Sequence, residues 1–361
     1  MAAPLRGSAA SGGTLDYARR MAASTAAGHF RQLGELSASS IGLGTYLGPA
    51  DDATDASYQA AVVRALELGI NLFDTASNYR HQRSERAIGR ALAQAAAGGL
   101  VRRDEVVVAS KAGFLAFDGE RPPDPRAYFE RVLVGAGLLE WSDVVAGCHS
   151  LAPRYLLHAI DQSRANLGLD AIDIYYVHNP ETQLDEVTRA VFDRRIRGAF
   201  EALEQACRAG AIGCYGAATW TGFRVPPGHP GHLSMAALVG LARDVSGDDH
   251  HFRAVQLPYN LSMPEARVMP TQEVDGARMP ALDAAARLGL YVVSSASIEQ
   301  GKLAARLPRG GAGDGELRTP AQRALQFARS APGMGTALVG MKTAAHVEEN
   351  AAVARVPPIA G

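Results

Sequence analysis

The chain has 361 residues, is 47% hydrophobic and 20% charged, and carries a formal net charge of −1. That balance excludes a protein whose overall field gathers nucleic acid or an acidic membrane, and no charge-free apolar run is long enough to cross a bilayer. The length exceeds the size at which a single core usually stops growing, a limit that alternating α/β barrels routinely pass.

The first 30 or so residues contain small side chains and arginines but no apolar stretch of signal-peptide type. They predict a loosely ordered arm ahead of one unit over 31–361. Strand-like apolar runs then recur at 39–46, 70–74, 105–110, 172–178, 212–219, 253–259, 290–295 and 336–340. Several are continuous rather than alternating, as expected of strands covered on both faces. Helical patterns lie between them. In 55–69 an apolar stripe of Tyr58, Ala61, Val62, Ala65 and Leu66 runs from a cap at Asp55 to Gly69. A second helix begins near Ser84. Segments 153–168, 198–213, 279–290 and 319–330 repeat the pattern, with Pro153 and Thr319-Pro320 as start signals. Eight strands interleaved with helices predict a single-domain α/β (β/α)8 TIM barrel, with an open doubly wound sheet as runner-up.

Three connections are long, at about 114–150, 220–250 and 260–278. Long connections often form lids or binding loops, although 220–250 reads more simply as a variable surface insertion. Residues 309–318 are a flexible loop by composition. Cys148, Cys207 and Cys214 form no CxxC pair and have no zinc-ligand spacing, so the expectation is a reducing, cytoplasmic setting. No metal is expected. His250 and His251, beside Asp248 and Asp249, read as a solvated turn.

In a βα barrel the reactive groups lie where strands run out into βα loops. The second strand ends in Asp74, with Tyr79 in its loop; the third ends in Lys111 and the fourth in His178. Each alone has a plain structural explanation, but together they make a proton donor for a carbonyl. A phenol titrates near 10 and donates poorly at neutral pH unless tuned. An adjacent ammonium is expected to lower that value, with a carboxylate holding the ammonium and an imidazole orienting the carbonyl oxygen.

"FDTASNY", "ASKAG" and "YYVHNP" resemble the aldo-keto reductases, (β/α)8 barrels that use NADPH, over about Gly42 to Asn350. The resemblance implies a catalytic tetrad of Asp74, Tyr79, Lys111 and His178, with Tyr79 as general acid/base in reversible hydride transfer between the nicotinamide and the carbonyl or alcohol of a small molecule. It also implies NADP(H) rather than NAD(H) as cofactor. Gln256 in "QLPYN" resembles the glutamine on the nicotinamide carboxamide. The stretch 295–303, with Ser295 and Gly301, resembles the loop crossing the pyrophosphate. "GMKTAAHVEEN", from Gly340, resembles the adenosine-phosphate segment: Lys342, Thr343 and His346 lie near a 2′-phosphate, and Glu349 and Asn350 near the adenine. A helix start beside a lysine suits an anionic phosphate on physical grounds as well. Tyr46, Asn179 and Trp220 are candidate substrate contacts.

The chain departs from the family pattern where Ala218 and Thr219 replace a Ser-Asn pair and where Ser295 stands for a stacking aromatic. These departures keep a second reading open, an NADP(H)-holding sensor or regulatory subunit with little turnover. A monomer is the default by analogy. The glycine spacing in "IGLGTYLG" (41–48) imitates a dinucleotide fingerprint. A Rossmann reading, however, leaves Tyr79, Lys111 and His178 without roles.

Overall fold

Eight strands pair in parallel and close on themselves. The computed structural model describes residues 4–306 and 317–359. The barrel strands are β1 (Ile41–Gly44), β2 (Leu72–Asp74), β3 (Val107–Ala112), β4 (Ile172–His178), β5 (Ile212–Ala218), β6 (Phe252–Pro258), β7 (Tyr291–Ser295) and β8 (Met334–Gly340). Each is followed by a helix: α1 (Asp52–Glu67), α2 (Arg83–Ala97), α3 (Pro153–Leu167), α4 (Arg189–Arg208), α5 (Met235–Ser246), α6 (Ala281–Arg287), α7 (Pro320–Ser330) and α8 (Ala344–Ala351). The closed (β/α)8 barrel removes the open-sheet alternative.

The continuous apolar runs have the expected cause. Leu72, Val107, Ile174 and Tyr176 point into the barrel, where they meet Val293 and Leu338. Their neighbours Phe73, Val108, Tyr175 and Val177 point outward onto the helices. Alternate residues therefore face two apolar layers, and neither face needs polar side chains. The glycine spacing of 41–48 is part of this packing. A Cβ on Gly42 would lie 2.6 Å from the Leu338 side chain and 2.9 Å from that of Leu72. Gly42 thus admits close packing in the barrel interior rather than approach of a phosphate.

Parallel register sets the level of the strand ends. Gly44 pairs with Asp74 and with Gly340, His178 with Ala218, and Ala218 with Gln256. Residues far apart in sequence thereby share one rim.

Residues 4–30 differ from the expected loose arm. Ser11–Met21 is a helix whose Tyr17 is fully buried and donates its hydroxyl to the Leu66 carbonyl at 2.6 Å. Arg20 adds a two-pronged ion pair with the buried Glu105, at 2.8 and 3.0 Å. A hairpin, Phe30–Leu33 with Leu36–Ser39, then places Leu33 and Ala38 in the barrel-interior cluster and closes the end of the barrel opposite the rim. The arm's apolar residues are too sparse to show a stripe, and its order comes from contacts with distant segments.

Other boundaries moved for local reasons. α1 begins at Asp52 because Asp51, not Asp55, caps it by accepting from the Thr54 N–H at 2.8 Å. α4 starts at Arg189, capped by Thr188, so its charge-rich first half is helical too. The 220–250 connection contains α5, whose Leu238, Val239 and Ala242 are buried, so it is not merely a surface insertion. His250 is buried, and His251 bonds the buried Glu204 at 2.8 Å, so the pair is no solvated turn. Residues 309–316 of the glycine-rich loop lie outside the described residues. No helix among the described residues is long and apolar enough to cross a membrane.

Candidate functional site

β2 ends on Asp74, whose two carboxylate oxygens are each engaged. Lys111 Nζ donates to Oδ1 at 2.5 Å and Gln256 Nε2 donates to Oδ2 at 2.8 Å. Lys111 also donates to the Thr75 carbonyl at 2.8 Å and is fully buried. The parallel register that brings β2 beside β3 is what makes these contacts possible.

Tyr79 lies in the turn after β2, with its N–H on the Ala76 carbonyl at 3.0 Å. The next three residues, Arg80, His81 and Gln82, all have left-handed backbone. Such strained backbone persists only when its surroundings hold it. Arg80 does so here: it pairs with buried Asp55 at 2.6 Å and donates to the Pro49 carbonyl at 2.8 Å. Asp55, expected as a cap, is thus an anchor of the Tyr79 loop. The Tyr79 ring meets Tyr46 edge-on at 5.1 Å and His178 at 5.8 Å, and Lys111 Nζ stands 5.0 Å from its centroid. Phe114, just after β3, packs edge-on against both His178 and His149, at 5.1 and 5.0 Å.

The electrostatics correct one expectation. Tyr79 is pushed well above the ordinary phenol value, first by burial and then by the charges of Asp74 and Tyr46. The Lys111 ammonium beside the ring is itself bonded to Asp74 and the Thr75 carbonyl. Burial also lowers the pKa of Lys111, and Asp74 pulls it back up. Burial, assisted by the charge of Lys111, holds His178 well below the usual imidazole range, so it is neutral at pH 7. His178 Nδ1 is buried without a hydrogen-bond partner among the described residues.

Asp74, Tyr79, His178 and Phe114 line a cavity of about 680 Å³ at the rim, whereas Lys111 lies behind Asp74 and is not part of the lining. A family model described as "Aldo/keto reductase family" matches residues 40–224, which include all four strand-end residues. The chain belongs to the aldo/keto reductase family. A Citrus sinensis protein, "(1S)-1,7-diacetoxy-luvungin A aldo-keto reductase", is 28% identical over 187 residues, covering 50% of this chain and 46% of the relative. "D-threo-aldose 1-dehydrogenase" of a Pseudomonas species is 31% identical over 159 residues, covering 44% and 42% respectively. The matched part therefore spans less than half the length of these curated relatives. A solved aldo/keto reductase from Klebsiella pneumoniae, in complex with NADP and acetate, superposes with a TM-score of 0.58. It is 19% identical, with 91% of this chain and 89% of that one covered, and the likeness is one of fold.

The cavity runs from Tyr46, Tyr79, His178, Asn179 and Trp220 to Ser295, Gly301 and Gly340, and on to His346, Glu349 and Asn350. Gln256 lines it too, but its amide N–H is directed at Asp74. Lys342 and Thr343 are not part of the lining. Thr343 caps α8 by accepting from the His346 N–H at 3.3 Å, and the Lys342 stem lies beside Gly48. Ala296, in the 295–303 stretch, also lines the cavity, as do Phe114 and Asn78, which were not anticipated. Only Phe114 had a signal, an aromatic just beyond a strand end.

Proposed function

We propose that this protein is an NADP(H)-dependent reductase of small-molecule carbonyls. The observation that carries the reading is the meeting of Tyr79, neutral His178 and the buried Lys111–Asp74 pair at one rim of the barrel. The residues also fit the cofactor. The cavity lies within the roughly 300–1,000 Å³ usual for small-molecule sites. Thr219 Oγ1 and Asn350 Oδ1 line its two ends and are buried without a partner among the described residues. Polar atoms left so are costly unless a ligand engages them. Gln256 and Thr219 would hold the nicotinamide end, Ser295 and Gly301 the pyrophosphate, and Lys342, His346, Glu349 and Asn350 the adenosine phosphate. The solved relative's NADP and the aldose named for a curated relative agree with this class of chemistry.

When bound, the nicotinamide supplies or takes the hydride. The rest belongs to the chain's own side chains. The raised pKa of Tyr79 keeps its phenol protonated at neutral pH, and an alkoxide is basic enough to take that proton without the pKa being lowered. Lys111 holds Asp74 compensated beside the phenol, so that phenolate formation does not meet an unopposed carboxylate. His178, neutral, donates an N–H to the carbonyl oxygen, and Phe114 fixes the plane of its ring.

Tyr79→Phe tests the assignment. Carbonyl reduction by NADPH should fall about 10²–10⁴-fold, the usual worth of a positioned proton donor, while NADPH binding, read by cofactor fluorescence, stays within about twofold. Full activity in that variant would overturn the role of Tyr79. Tight NADP(H) retention by the unaltered protein, with no turnover over a panel of aldehydes, ketones and sugars, would favour the cofactor-holding reading instead.

A further inference from the structure

The segment that follows β4 does more than carry His178. Asn179 takes a left-handed backbone, and its N–H donates to the Ala218 carbonyl at 2.6 Å. The chain then turns through Pro180–Asp185, which brings Glu181 under the loop after β5. One oxygen of Glu181, Oε1, accepts three consecutive backbone N–H groups, those of Trp220, Thr221 and Gly222, at 2.6, 2.9 and 3.3 Å. Successive N–H groups converging in this way form a nest, an anion-binding concavity. Here the anion is the protein's own carboxylate, 6% exposed.

The other side of Trp220 is held too. Its carbonyl accepts from Arg224 Nε at 3.0 Å, and Arg224 is itself paired with Glu265 at 3.0 Å. The Trp220 backbone is therefore clamped at both its donor and its acceptor, while its side chain stays 46% exposed on the cavity wall. Thr219, immediately before it, lines the same wall.

We propose that Glu181 is a positioning residue: its carboxylate, seated in the 220–222 nest, sets the Trp220 indole as the wall against which the carbonyl substrate packs. The proposal rests on the reductase reading for its catalytic consequence but not for the clamp itself. A carboxylate holds three amides better than a neutral oxygen does, because charge-assisted bonds are the stronger ones. Loss of the charge therefore loosens the loop without removing any group that touches the reacting atoms.

The chain has two tryptophans, so Trp141→Phe leaves Trp220 as the sole indole reporter. In that background, Glu181→Gln should shift the Trp220 emission maximum and increase its quenching by acrylamide in the ligand-free protein. In the same variant, KM for a carbonyl substrate should rise about tenfold with kcat within about twofold, the signature of lost substrate packing rather than lost chemistry. Glu181→Asp, one methylene shorter but still charged, should recover part of both effects. Unchanged emission and quenching would overturn the clamp. A shifted emission with unchanged KM would overturn Trp220 as the substrate wall. Amide hydrogen exchange of the unaltered protein provides a check independent of how the variants fold: Trp220, Thr221 and Gly222 should be protected, and rapid exchange at all three would overturn the proposal. The fluorescence and exchange arms need no turnover, so failure of the clamp is distinguishable from failure of the reductase reading.

Discussion

Replacing Asp74 by Asn separates the charge of the carboxylate from its shape. In the native protein Lys111 Nζ lies 2.5 Å from Asp74 Oδ1, with their side chains 0% and 5% exposed. At an effective dielectric of about 20 the gross attraction at that distance is roughly 7 kcal/mol, most of it offset by the cost of desolvating both ions. The measurable quantity is the cost of breaking the pair, about 3–5 kcal/mol for a buried bridge, because one charge is left uncompensated. An Asn amide must also turn an N–H₂ toward either Lys111 or the Gln256 amide, both donors. At about 2.1 cal/mol/K of unfolding entropy per residue, a 361-residue chain shifts by roughly 1.3 °C per kcal/mol, so Asp74→Asn should lower Tm by roughly 4–7 °C. The pH dependence has a definite sign. Burial already depresses Lys111, and without Asp74 its folded pKa falls further below the unfolded value near 10.4. Between those two values the unfolded state binds the proton and the folded state does not, so stability rises with pH. The Tm deficit of the variant should therefore shrink from pH 7 to pH 9. Calorimetric melts of both proteins across that range provide the test. A Tm within 2 °C of the native protein at every pH would refute the buried pair.

Two further outcomes follow from the same geometry. Burial lowers His29 and His149 to about 4 and depresses His178 as well, so each folded-state pKa lies below the unfolded value near 6.5. Stability from these neutral imidazoles is fully present above about pH 6.5 and is lost as pH falls toward 4; urea titrations should show that loss, with a smaller slope in His149→Asn. On the proposed reading, in which Lys342 reaches a 2′-phosphate from just outside the cavity lining, Lys342→Ala should weaken NADP(H) binding about tenfold while leaving NAD(H) binding within about twofold, by loss of one charge-assisted contact to phosphate. Equal weakening of both, read by cofactor fluorescence, would remove Lys342 from 2′-phosphate recognition.

Much of the barrel was legible because its signals are local. The runs ending at Asp74, His178 and Ala218 carry their own apolar pattern, and Pro153 and Thr319 mark helix starts by their own chemistry. The N-terminal helix was not legible: Tyr17 is held by a carbonyl 49 residues away and Arg20 by a glutamate 85 residues away. No window along the chain contains those partners. α5 escaped notice for a different reason, since the proline- and glycine-rich stretch before Ser234 overshadowed its short apolar face.

At the site, sequence alone determined which chemistry-bearing residues stand at strand ends, because strand periodicity and the order of Asp74, Tyr79, Lys111 and His178 are properties of the chain as written. Tertiary structure decided their charge states and their supports. Tyr79 is raised rather than lowered, Gln256 is turned toward Asp74, Asp55 anchors the Tyr79 loop, and Glu181 fills a nest 40 residues further on. The physical reason is the same in each case: burial and the direction of a hydrogen bond depend on what the closed barrel brings near, and a linear sequence contains neither quantity until the strands are in register.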